Sequence, residues 1–163
     1  MKASESAFNS PLETGVRALT ILEACFPNCL DIQRLVELDY LVVHSGDAGG
    51  PASLHAALPL RSGELLVRRE VIADGLALMI SRGLINRKAE SEGIMYLAAE
   101  TASPFLEGLS SEYVKNLRDR AVWVAVHYGG ASHRELRELT SDIFSRWTSQ
   151  FQLVESYTGP GNE

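Results

Sequence analysis

Cysteine is scarce in this chain: Cys25 and Cys29 are the whole supply in 163 residues. Two thiols four apart around Pro27 suit reduced thiols in a cytosolic protein better than a secreted disulfide framework. No apolar run reaches the roughly 18 residues that a membrane-spanning helix needs. The polar stretch from Met1 to Ser10 has no apolar signal core. Positive charge is also in deficit. A net charge of −6 and a pI near 5.3 argue against nucleic-acid binding by the whole surface. The glycine-rich run Ser45–Pro51 lacks the Gly-Lys-Ser/Thr that cradles phosphate, and no Gly-x-Ser-x-Gly elbow occurs.

What is present is ordinary for one folded domain: 45% hydrophobic and 22% charged residues in 17.8 kDa. The charge is unevenly spread. Residues 1–60 carry a net −4, residues 61–88 a net +3 and residues 89–163 a net −5. The basic segment marks either a nucleic-acid footprint or an ion-pair partner for the acidic flanks.

Helix signals dominate. Ser10-Pro11 with Glu13 opens a first helix through Leu12, Val16, Leu19, Leu22 and Phe26, stopped by Pro27. Asp31 caps a second, with Leu35, Leu38 and Val42 on one stripe, ending near Gly46. Residues 45–62 read as a long Gly/Pro loop, and loops of that length are usually functional or disordered. A third helix runs from Gly63 to Arg82, with Gly83 past its end. Leu84–Arg87 and Ile94–Leu97 form a hairpin around Glu90–Gly93. Thr101–Leu109, Ser111–Tyr128 and a long helix opened by the Ser132/Glu135 capping box complete the chain.

The expected fold is therefore mainly α with a small β-hairpin, in the order of a winged helix-turn-helix with a C-terminal helical extension. Residues 1–9 form a flexible N-terminus, 10–100 the winged-helix core with its loop at 45–62, 101–157 the helical extension and 158–163 a frayed tail.

The third helix would be the reading helix of such a fold. With Leu65 set at 0° and 100° per residue, Ile72, Leu76 and Met79 fall within roughly 40° of it. Glu70, Asp74, Ala77 and Ser81 take the outward arc, while Arg68 and Arg69 flank the apolar stripe. Phosphates repel an acidic outward face, so direct base reading is disfavoured, and Arg87 and Lys88 on the wing are the remaining candidates for nucleic-acid contact. The two arginines beside the stripe need acidic partners if buried, and Asp39 and Asp47 are placed to serve. His44, Asp47 and His55 bracket the loop and are chemically able to hold a metal, but their spacing is not diagnostic and loop-pinning hydrogen bonds are the commoner use. Cys25 on an apolar face reads as a core thiol. Phe144, Trp147 and Phe151 make an aromatic stripe suited to core packing or to another chain.

Several runs together resemble one family. These are Leu38-Asp-Tyr-Leu-Val-Val-His-Ser-Gly-Asp47, Gly50-Pro-Ala-Ser-Leu-His55 and Pro59-Leu-Arg-Ser-Gly-Glu-Leu-Leu-Val-Arg-Arg69, followed by Ser81-Arg-Gly-Leu-Ile85, Gly93-Ile-Met-Tyr96, Leu109-Ser-Ser-Glu-Tyr113 and Leu117-Arg-Asp-Arg-Ala-Val-Trp123. Over residues 14–128 the pattern is similar to middle-component subunits of bacterial ABC-three-component conflict systems, as in Lamassu-type antiphage defence. The resemblance implies a non-catalytic adaptor that docks on an SMC/Rad50-like ABC ATPase and couples it to an effector such as a nuclease. It implies DNA contact only through the complex, and no cofactor, metal, small-molecule substrate or membrane. His44, Asp47, His55, Arg61, Glu64, Arg68 and Arg69 are the partner-facing residues it implies. A winged-helix transcriptional regulator and a metal-dependent enzyme using His44 are the alternatives from other classes.

Overall fold

Four of the helices begin where a side chain satisfies backbone donors that have no partner within the helix. Ser10 Oγ accepts from the Glu13 amide at 3.2 Å to open α1 (Pro11–Cys25). Asp31 Oδ1 accepts from the Arg34 amide at 2.8 Å to open α2 (Ile32–Val43). α3 (Glu64–Ser81) ends in a left-handed Gly83 at φ +71°. There the Gly83 amide donates to the Ile80 carbonyl and the Leu84 amide to the Met79 carbonyl, the paired bonds of a Schellman stop. α4 (Ala102–Glu107) and α5 (Glu112–Tyr128) follow the hairpin, with Ser111 Oγ capping α5 through the Val114 amide. α6 (His133–Tyr157) starts on a reciprocal box, Glu135 N–H to Ser132 Oγ and Ser132 N–H to Glu135 Oε2 at 2.7 Å.

These elements come from a computed structural model that describes residues 10–55 and 64–157, with the side chains of 64–66 and 147–157 outside the description. Arg61, the expected loop stretch 56–62, both chain ends, and the side chains of Glu64, Leu65, Trp147 and Phe151 therefore lie outside the described residues. Among the described residues no helix is long and apolar enough to cross a membrane.

The sheet is a two-stranded antiparallel hairpin, β1 (Ile85–Glu90) and β2 (Gly93–Ala98), turning at Ser91 and Glu92. Both strands run longer than the hydrophobic pattern suggested, because the charged residues at the tip still pair in register. Leu30, between α1 and α2, bridges to Tyr96 on the far side of β2, with bonds of 3.0 and 2.8 Å.

The core lies between α1, α2, α3 and α5, centred on Leu19, Leu22, Leu38, Leu41, Ile72 and Leu76. α6 joins it through Leu136 and Ile143 on the α2 side. α1 and α3 approach backbone to backbone at Gly15 and Gly75: a Cβ on Gly75 would sit 2.6 Å from the Gly15 nitrogen. Both glycines are thus required by the crossing. Cys25 and Cys29 are free thiols, and burial pushes the Cys25 thiol up to about 11.

Two boundaries differ from the sequence expectation. α2 stops at Val43, short of Gly46, where the His44 amide makes the last bond to the Tyr40 carbonyl. The stretch from Ser45 is no loose loop in its first half: a 3-10 turn over Ser45–Ala48 leads into a bonded segment ending at His55.

Candidate functional site

A buried ion cluster underlies that segment. Asp39, on the inner face of α2, has a side chain 2% exposed. Arg17 of α1 grips it with both forks, Nε to Oδ1 at 2.8 Å and Nη2 to Oδ2 at 3.2 Å. Arg68 of α3 donates Nη1 to the same Oδ2 and lies over the Tyr40 ring at 5.7 Å. Three helices are thereby tied at one carboxylate. Burial alone would raise the Asp39 carboxyl; the Arg17 and Arg68 guanidiniums override it and hold the group well below its usual range. Burial opposes the charge on Arg17 as well, and Asp39 more than restores it.

The expected pairing is thus half right. Arg68 does meet Asp39, while Arg69 is exposed and turns its Nη1 toward Gln33 Oε1 at 3.4 Å instead of an aspartate. One helical step separates the two arginines by about 100°, enough to send them to different neighbours. The residue that sequence reasoning missed is Arg17. A signal existed: Thr14, Arg17 and Thr20 recur at three-residue spacing and form a buried polar strip on α1.

His44 and His55 flank the cluster. The His44 ring lies 4.8 Å from Tyr40 and 6.4 Å from His55, centroid to centroid. His55 Nε2 meets the Tyr113 hydroxyl at 2.8 Å, with the two rings stacked. Burial first, and then neighbouring positive charge, lowers both histidines to about 4, so both are neutral at pH 7. Among the described residues no group of three or more His, Cys, Asp or Glu is arranged to hold a metal ion. His55 serves as a hydrogen-bonding pin to α5.

The segment above is fastened at many points. The Leu54 and His55 amides donate to the Val43 carbonyl at 2.9 and 3.1 Å. Ser45 Oγ donates to the Pro51 carbonyl at 2.8 Å, and the Gly46 amide to Ser53 Oγ at 3.1 Å. From α5, Arg120 donates Nε and Nη2 to the Ala52 carbonyl at 3.0 and 2.8 Å. The Trp123 ring lies against Gly50, where a Cβ would fall 2.5 Å from it. Trp123 in turn stacks on His127 at 4.5 Å. From α6, Arg146 reaches the Asp47 carbonyl at 3.4 Å. Gly46, Gly49, Ala52 and Ser53 stay exposed on top of this platform.

The other candidates fall elsewhere. Phe144 packs edge-on against Tyr40 at 5.1 Å. Arg87 and Lys88 are exposed on β1, across from Tyr96 and Met95. Glu70, Asp74, Ala77 and Ser81 are exposed on α3, so its outward face is acidic as expected, although Val67 joins it at 62% exposed.

Fold and site define a helical protein with a small antiparallel sheet and a rigidly mounted surface segment, built on a buried Arg–Asp–Arg cluster. The family model of the ABC-three component (ABC-3C) system Middle Component 2 matches residues 7–150, and the chain belongs to that family. The match extends past the stretch that carried the resemblance, into the last helix. No curated protein and no solved structure matches this chain.

Proposed function

We propose that this chain is the non-catalytic adaptor of its ABC-three-component system. It docks on an SMC/Rad50-like ABC ATPase and couples that motor to an effector, a nuclease, in Lamassu-type defence against phage or plasmid DNA. The exposed side of residues 46–55, with Arg68 and His44 beneath it, forms the docking surface. Family membership supports a role within a multi-component assembly. The observation that carries the reading is the mounting of residues 45–55: an exposed irregular segment held by α2, α5 and α6 needs little ordering when a partner binds.

The winged-helix architecture belongs to the same reading. The order α1, α2, α3, hairpin supports it, as does the Leu30–Tyr96 bridge that gives the wing a third strand position. A DNA-binding regulator is the second reading, favoured by the exposed Arg87 and Lys88 on the wing. Glu70 and Asp74 on the outward face of α3 count against it.

Co-expression with the ATPase of the same system tests the proposal. A stable complex that weakens on Ala52→Trp, a substitution at an exposed side chain of the mounted segment, is expected, with thermal unfolding of the free chain unchanged. An ATPase that never retains this chain, together with salt-sensitive duplex binding abolished by Arg87→Glu/Lys88→Glu, would replace the adaptor with the regulator.

A further inference from the structure

The hairpin has one partnered edge and one open edge. Tyr96 gives its amide and carbonyl to Leu30, so these groups point away from β1. Arg87, its register mate, therefore sits in a non-hydrogen-bonded pair. By the antiparallel alternation, Asn86, Lys88 and Glu90 bond inward to β2, while Arg87 and Ala89 direct their amides and carbonyls outward. Residues 86–90 are all exposed, on both faces of the strand. Among the described residues the main neighbours of β1 are β2 and α3, and the exposure of residues 86–90 leaves that edge open. Two residues' worth of backbone donors and acceptors are thus left to solvent on a strand long enough to template another.

Which strand fits is set by side-chain charge. An incoming antiparallel strand must meet the outward groups of Arg87 and Ala89 with its own outward groups. For a second β1, pairing Arg87 with the partner's Arg87 opposes two guanidiniums. Pairing Arg87 with the partner's Ala89 opposes Lys88 with the partner's Lys88. The register centred on Ala89 has neither fault. It sets Lys88 against the partner's Glu90, and Glu90 against the partner's Lys88, in non-hydrogen-bonded positions where side chains stand closest. Arg87 then faces the partner's Ser91.

We infer that the open edge of β1 pairs antiparallel with β1 of a second copy, with Ala89 on the two-fold axis and reciprocal Lys88–Glu90 bridges on either side. The result is one continuous four-stranded sheet across the dimer, with its two Leu30 bridges outermost. The alternating charge, which would blunt the edge against an arbitrary strand, selects an identical one. Such an interface is isologous and small, so the dimer is a weak one that salt loosens. The inference stands independently of the adaptor reading, since it concerns this chain alone.

Cross-linking and charge swapping test it together. In a Cys29→Ser background, Ala89→Cys is expected to form a disulfide-linked dimer on mild oxidation. Asn86→Cys is not, because its register mate is Glu92. In sedimentation equilibrium over a concentration series, Lys88→Glu and Glu90→Lys should each raise the dimer dissociation constant roughly tenfold. The swapped variant Lys88→Glu/Glu90→Lys should restore it. All four positions are exposed, and unchanged thermal unfolding of each variant verifies the fold. A chain that sediments as a monomer throughout, an Ala89→Cys variant that does not cross-link, or a dimer indifferent to the single charge reversals would overturn the inference.

Discussion

Residues 45–55 read in the sequence as part of a Gly/Pro loop and residues 84–97 as a strand hairpin, and the fold holds the two in opposite ways. The first is bonded to α2, α5 and α6 and sits over the Arg17–Asp39–Arg68 cluster. The second projects from the end of α3, anchored at its base by Leu84, Ile85 and Ala98 and at one edge by Leu30. A mounted segment offers a fixed shape, and an open strand edge offers a backbone template. The first suits recognition of a different protein, and the second suits pairing by register.

The largest difference between the two regions is expected at Asp39. Asp39→Ala leaves two arginines facing each other in the core, and a loss of about 3–5 kcal/mol is expected in denaturant unfolding. The hairpin counterpart, Arg87→Glu, should cost less than about 0.5 kcal/mol, since its side chain is exposed and away from the core. Asp39 also sets an acid limit. Its folded carboxyl lies below the ordinary 3.8, so its stabilisation is present above that pH and is lost as pH falls further. Asp39→Asn should remove this part of the acid transition.

At the α1–α3 crossing, Gly75→Ala forces a methyl against the Gly15 backbone, and a cost of about 1–3 kcal/mol is expected in thermal or urea unfolding.

The histidines sharpen the contrast between the two regions at milder pH. Both titrate near 4 in the fold against an ordinary 6.5, so the unfolded chain takes up protons first. Stability should therefore fall as pH drops from about 6.5 toward 4, and His55→Gln should flatten that slope in pH-dependent urea unfolding.

A milder effect is expected from Tyr113→Phe, within the mounted segment. Losing the hydroxyl bonded to His55 should cost about 0.5–1.5 kcal/mol. Amide exchange should accelerate at residues 45–55 and stay unchanged in the hairpin.

Much of the frame was legible because its signals are local. Ser10, Asp31, Ser111 and Ser132 each cap the helix that their sequence context announces, and Gly83 takes the left-handed stop. The acidic outward face of α3 followed from angular spacing alone. What escaped is non-local. Arg17 sits inside an apolar periodic run, and its meaning comes from Asp39, 22 residues away. The mounting of residues 45–55 depends on Arg120, 68 positions beyond Ala52, and on Trp123 against Gly50. Glycine and proline content shows that the chain turns there but carries no information on what holds the turn. Helix propensity counts against Gly15 and Gly75, and nothing local in the sequence shows that two helices touch there.

Under the proposed adaptor role, the mounted segment and not the hairpin would meet an ABC ATPase. Amide hydrogen exchange of this chain, free and in the presence of the ABC ATPase of its own system, tests that most directly. Added protection is expected across residues 45–55 and the neighbouring turn of α3 around Arg68, with exchange in residues 85–98 unchanged. Added protection confined to residues 85–98, or none anywhere at saturating ATPase, would contradict it.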